Sequence, residues 1–222
     1  MTTVATFDVD TPAGVVPARL EKPPQARGLL VFGHGAGAGM HHAFMEAMAA
    51  HLSAVGIATL RYAFPYMHAG RRRPDASSVL TGTVAAAIER ARAEAGTLPL
   101  FAGGKSMGGR MTSLCMSEDA IESVRGLIFF GFPLHPAGKP GIERAAHLAS
   151  VAVPMLFLQG TRDRLAELDL LRPVLADLPR AVLHEVEGAD HGFAVLKRSG
   201  RTDGEVLEEL ATATRSFVET HR

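Results

Sequence analysis

The chain has 222 residues, of which 47% are apolar and 21% charged, a profile that fits one globular domain with a substantial core and excludes a disordered tail. Its 23 lysines and arginines balance 23 aspartates and glutamates, so no basic excess points to nucleic acid as a partner. One cysteine, Cys115, can close neither an intramolecular disulfide nor a thiolate zinc site, and no uncharged apolar run approaches the ~18 residues that span a bilayer.

In chain order, short β-type apolar runs alternate with longer helical patterns, which predicts an α/β fold with a mostly parallel twisted sheet and helices on both faces. Val4–Val9 and Val15–Leu20, split by the turn-like TPAG, read as an N-terminal antiparallel hairpin. Gly28–Phe32 is a strand, followed by a glycine-rich loop and a helix over about His42–Ala54, and Ile57–Tyr62 is the next strand. A proline- and arginine-bearing loop, Phe64–Asp75, leads to a helix over Ala76–Glu94, whose Leu80, Val84 and Ile88 recur every four residues toward the sheet. Leu98–Ala102 is a strand, Ser106–Met116 a helix, Leu127–Gly131 a strand, and Ile142–Leu148 a short helix. Val153–Leu158 is a strand, Leu165–Leu178 a helix interrupted by Pro173, Ala181–Val186 a strand, and Thr202–Thr220 a closing helix capped by Thr202 or Asp203. Residues 1–222 are expected to form a single domain with no large cap. The opening MTTVATFDVDTPAG lacks the basic and apolar regions of a secretory signal, which predicts a soluble cytoplasmic protein with no membrane partner. Oligomeric state is left open.

The chemistry concentrates at strand ends. Gly104-Lys105-Ser106-Met107-Gly108 fits G-x-S-x-G at a turn from strand to helix, where glycines relieve crowding around a strained serine. Composition alone yields such a pattern roughly 0.1 times in a chain like this, so the strand-to-helix context carries more than the letters. A serine hydroxyl needs a base, and the base needs an orienting carboxylate. Asp163 follows the strand VPMLFL in QGTRD, and His191 follows the strand AVLHEVE in GADHG. Asp190 is a rival acid by proximity, but a turn role suits a chain neighbour better. The glycine-rich run from Gly33 to Gly39, in HG-x-G form, suits an oxyanion loop whose donors would be the backbone amides of Ala36 and Met107, with Gly35 and Gly37 as neighbouring alternatives.

Substrate contacts are expected from Arg71, Lys105, His135 and Phe193, each weighed against a plain surface, loop or packing role. No metal and no cofactor are expected, because His34, His41 and His42 match no metal-ligand spacing. A nicotinamide-dependent reductase is the weaker enzyme reading. Gly33-x-Gly35-x-x-Ala38 is a loose dinucleotide fingerprint, but the next strand ends without an acid, leaving Arg61 alone to meet a 2′-phosphate.

With these pieces in order, the chain resembles the α/β-hydrolase superfamily, in particular its small dienelactone-hydrolase-like group. It looks most similar to the branch related to a subunit of an animal non-specific-lethal histone acetyltransferase complex and to a testis-expressed protein. FGHGAGAG (32–39), LRYAFPYM (60–67), GRRRPD (70–75), AGGKSMGGR (102–110), GFPLHPAGKP (131–140), LQGTRD (158–163) and GADHGF (188–193) carry the likeness. The resemblance implies a compact hydrolase with Ser106, Asp163 and His191 in the triad positions and supplies no substrate; the residues themselves point to a small ester or thioester handled through an acyl-enzyme. The competing expectation is an interaction or scaffold protein that keeps the fold without turnover.

Overall fold

The computed structural model describes residues 1–222. Eight strands form one mixed sheet: β1 (Thr3–Thr11), β2 (Gly14–Lys22), β3 (Gly28–Gly33), β4 (Ile57–Tyr62), β5 (Leu100–Lys105), β6 (Val124–Phe130), β7 (Met155–Gly160) and β8 (Ala181–Val186). Their spatial order is β1-β2-β4-β3-β5-β6-β7-β8. β1 and β2 pair antiparallel from Thr11↔Gly14 outward, β2 joins β4 antiparallel, and every other pairing is parallel. Strands β3 to β7 are buried almost throughout, as near-continuous apolar runs covered on both faces must be.

The covering helices are α1 (Ala43–Ala54), α2 (Pro65–His68), α3 (Ser77–Ala95), α4 (Met107–Glu118), α5 (Leu168–Ala176) and α6 (Asp203–His221). One core packs Leu80, Val84 and Ile88 of α3 with Met111 and Cys115 of α4 and Leu171 of α5. On the other, Met48 and Leu52 of α1 meet Leu210 and Phe217 of α6 across Phe101 and Phe130. Thr202 caps α6 through a reciprocal capping box with Glu205, which satisfies two otherwise orphaned N–H donors.

Several elements differ from the sequence pattern. The expected loop after β4 contains the short helix α2, started by Pro65, whose fixed φ suits a first helical turn. The expected helix over Ile142–Leu148 is a 3-10 turn, Glu143–Ser150. Pro173 does not interrupt α5 but sits inside it. The carbonyl it leaves without a helical donor belongs to Asp169 in the first turn, a residue whose side chain lies at the surface. His42 is the N-cap of α1 rather than its first residue, its side chain accepting from the Phe44 amide.

The chain leaves β3 toward β4 on one side, then crosses back to β5 on the other. The carboxyl ends of β3 and β5 therefore flank a topological switch point, where an open α/β sheet leaves a crevice for ligands. The glycine-rich loop and the Ser106 turn stand on its two sides.

Candidate active site

Ser106 follows β5 directly and is the N-cap of α4, with φ 50° and ψ −116°. A non-glycine residue at positive φ costs of order 1–3 kcal/mol and persists only where its surroundings enforce it. Two glycines do so. A Cβ on Gly104 would stand 2.3 Å from the Gly33 carbonyl oxygen, and one on Gly108 would stand 2.4 Å from the same atom. Only bare glycine lets α4 start this close to the end of β3. The Ser106 amide donates to the Phe130 carbonyl at 3.1 Å, which fixes the turn against β6.

The other two expected residues converge on it. His191 Nε2 lies 2.8 Å from Ser106 Oγ, and His191 Nδ1 lies 2.7 Å from Asp163 Oδ2. With the carboxylate accepting from Nδ1–H, Nε2 is left to accept the serine proton. The Asp163 side chain is fully buried while the imidazole is 26% exposed, so the acid end is dry and the serine end open. Asp163 Oδ1 accepts from the Leu165 amide at 2.8 Å, and Oδ2 accepts a second bond from Gln159 Nε2 at 2.6 Å. Gln159 is itself held by the Phe132 amide, which donates to its Oε1 at 2.9 Å. Nothing in the sequence pattern singled out Gln159, because its role depends on the Phe132 amide of a loop distant in the chain.

Asp190 takes the turn role expected of it. Its Oδ1 accepts from the amides of Gly192 and Ala194, and its own amide donates to the Ala194 carbonyl. That tight turn forces Phe193 to φ 66°, where its buried ring stacks on Phe44 at 5.7 Å.

On the opposite side, His34 is buried and pins the glycine-rich loop. The Phe64 amide donates to its Nε2 at 3.0 Å, so Nδ1 carries the proton and donates to the Gly35 carbonyl at 2.9 Å. Burial pushes the His34 pKa down to about 4, which keeps the ring neutral. The Gly35–Ala36 peptide plane is thereby fixed, and with it the direction of the Ala36 N–H. Neither that amide nor the Met107 amide donates in any of the loop and cap bonds of the fold. Gly35 runs close to the serine, a Cβ there meeting Ser106 Cβ at 3.7 Å.

The expected substrate contacts divide. Lys105 adjoins the serine, and its Nζ donates to the His191 carbonyl at 2.6 Å. His135 is buried, donating from Nδ1 to the Pro136 carbonyl at 2.9 Å and bonded through Nε2 to Glu167, so both ring nitrogens are occupied within the fold. Arg71 pairs with Asp75 at 2.7 Å on an exposed turn and makes no contact with the serine, histidine or aspartate. Arg61 is buried, donating to the Met40 carbonyl at 2.9 Å and to Glu21 at 2.6 Å, which removes it from any role at a 2′-phosphate.

A second serine–histidine contact exists. Ser113 Oγ lies 2.8 Å from His147 Nε2, on the face of α4 covered by the 3-10 turn. It lacks a carboxylate on the histidine and a strained backbone at the serine, and the Ser113 hydroxyl also donates to the Arg110 carbonyl as an ordinary helix residue does. A cavity of about 840 Å³ between β8 and α6 contains none of Ser106, Asp163 or His191.

A family profile described as Alpha/beta hydrolase domain matches residues 26–219. The chain belongs to this alpha/beta hydrolase family. Solved structures agree on the fold. A dienelactone hydrolase from Anabaena variabilis superposes with TM-score 0.79 at 19% identity, over 99% of this chain and 98% of that one. A serine hydrolase homologue from Coxiella burnetii gives 0.76 at 20% identity, over 96% and 98%. A lidless serine hydrolase from Xanthomonas campestris gives 0.73 at 20% identity, over 98% and 96%. Two Mycobacterium tuberculosis proteins that carry the provisional name phosphoribosyl transferase are 29% identical over 198 residues, or 84% of this chain. This chain spans 42% of the length of those curated relatives. No helix of this alpha/beta hydrolase is long and apolar enough to cross a membrane.

Proposed function

We propose that this alpha/beta hydrolase is a serine hydrolase of small esters or thioesters, working through an acyl-enzyme. The observation that carries it is the continuous chain from Ser106 Oγ through the His191 imidazole to the Asp163 carboxylate, with bonds of 2.8 and 2.7 Å. Ser106 Oγ attacks the carbonyl carbon while His191 Nε2 takes the hydroxyl proton, and Asp163 stabilises the imidazolium. The oxyanion so formed is received by the amides of Ala36 and Met107. Collapse breaks the bond to the leaving alcohol or thiol, which departs with the proton from Nε2. Water, deprotonated by His191, then attacks the acyl-serine, and the acyl–Oγ bond breaks as Nε2 returns that proton to Ser106 Oγ, releasing the acid. Every proton moves between this chain, substrate and water.

We assign all 222 residues to one functional domain and place it in the cytoplasm, where a lone, buried Cys115 stays reduced. The non-specific-lethal-related branch is our placement within the family, on the segments that carry the likeness. The transferase name of the longer mycobacterial relatives is not carried over, since this chain matches less than half of them.

The test is turnover of a panel of p-nitrophenyl esters and acyl thioesters by the wild-type protein and Ser106→Ala. Turnover that falls by about 10³-fold or more in the variant is expected. Partner binding with no turnover of any substrate would instead favour the scaffold reading.

A further inference from the structure

Lys105 fills the variable slot of the G-x-S-x-G turn, yet its side chain neither extends into solvent nor joins a carboxylate. Its Nζ donates to the backbone carbonyl of His191, 86 positions away in sequence, at 2.6 Å. The same ammonium stands 5.4 Å from the ring centre of Phe193 and 5.8 Å from that of Phe44. It lies 3.1 Å from where a Cβ on Gly131 would be, and the His191 ring atoms Nδ1 and Cε1 lie 3.4 and 3.5 Å from that same point. Gly131, at φ 70°, thus leaves one slot that ammonium and imidazole share.

The histidine loop has other anchors, but they act elsewhere on it. Asp190 shapes the turn from within, while Thr161 and Arg162 bond to Gly188 and Ala189 at its base. The bond from Lys105 holds the backbone of His191 itself, and it runs from the residue next to the serine.

We propose that Lys105 is a positioning residue that ties the strand carrying the nucleophile to the loop carrying the base, and so keeps the imidazole at bonding distance from Ser106. This rests on the serine hydrolase reading. A misplacement of about 1 Å at a reacting group costs on the order of 10²-fold in rate. The tether is also charge-dependent, since an ammonium makes a stronger bond to a carbonyl than a neutral amine and alone gains from the two aromatic faces. The groups facing it are the His191 carbonyl and ring, the Phe44 and Phe193 rings, and the more distant carboxylates of Asp163 and Asp190. Burial drives its pKa down to about 8, with those two carboxylates opposing the shift.

The experiment compares wild type with Lys105→Met, using p-nitrophenyl acetate turnover across pH and amide hydrogen exchange of residues 188–195. The expected result is a fall in kcat of about ten-fold or more with KM within about two-fold, and faster exchange in that segment. Wild-type kcat/KM declines on the alkaline side near pH 8, and the variant loses that limb. Unchanged kcat and unchanged exchange in Lys105→Met overturn the proposal, as does a wild-type profile that stays level through the same pH range. If the variant fails to fold, the wild-type protection of these amides, corrected for intrinsic exchange, must drop between about pH 6.5 and about pH 9.5. Constant protection there refutes the tether. Failure of the hydrolase reading is distinguishable, because it abolishes Ser106-dependent turnover in both proteins and leaves the exchange comparison intact.

Discussion

Replacing Gly108 by alanine is predicted to damage stability and turnover together, against the ordinary preference of helices. Gly108 lies in the first turn of α4, where alanine normally gains roughly 0.5–1 kcal/mol over glycine. Here the added Cβ would meet the Gly33 carbonyl oxygen at 2.4 Å, the Gly33 carbonyl carbon at 2.5 Å and the His34 carbonyl oxygen at 2.7 Å, all of them backbone. Ordinary contact begins at 3.4 Å, so α4 and the end of β3 must separate by about 1 Å. Overpacking on this scale costs about 1–3 kcal/mol, or a Tm lower by roughly 2–12 °C in a chain of this size. The same shift moves the glycine-rich loop after β3 away from Ser106 and, on the proposed mechanism, lowers kcat by on the order of 10²-fold. Gly204→Ala is the matched control. It makes the same change in the first turn of α6, where the nearest atom is Thr202 Oγ1 at 3.9 Å, and it should leave Tm equal or higher and turnover unchanged. Thermal melts and p-nitrophenyl acetate kinetics on both variants decide the matter. A Gly108→Ala protein as stable and active as the control would refute the close-packing account of the serine turn.

Three further outcomes are expected. Asp163→Asn should keep the fold by circular dichroism and lose about 10⁴-fold in kcat, because Asn no longer enforces the tautomer that leaves Nε2 free to accept the serine proton. Ser113→Ala should keep kcat/KM within about two-fold while losing about 1–3 kcal/mol in urea melts, since it strips a partner from the His147 ring without touching Ser106. His34 has a folded pKa pushed down to about 4 from 6.5, so its contribution is complete above pH 6.5 and is lost as pH falls toward 4. That linkage amounts to about 3 kcal/mol, and urea melts of wild type and His34→Gln over this window should show the variant losing much less stability on acidification.

The sheet and the meeting of Ser106, Asp163 and His191 were legible because each signal is local. An apolar run of about six residues marks a strand buried on both faces, and a residue at the end of a parallel strand lands at one rim of the sheet wherever it stands in the chain. The Thr202 cap and the Asp190 turn could be anticipated because the bonds that make them span only a few residues. Roles set by distant contacts were not legible. Gln159 orients Asp163 only because Phe132, in the loop after β6, fixes its amide. Lys105 reads as a pocket lysine until the His191 carbonyl is seen at its tip. His135 and Arg71 carried the polar groups of substrate contacts, but Glu167 and Asp75 engage them first, and neither pairing follows from periodicity.

The most direct measurement of the central claim is labelling of the native protein with a fluorophosphonate, followed by mass-spectrometric mapping of the adduct. The geometry predicts one modified residue, Ser106, with labelling lost in Ser106→Ala and preserved in Ser113→Ala. An adduct on Ser113, or labelling that survives removal of the Ser106 hydroxyl, would contradict it.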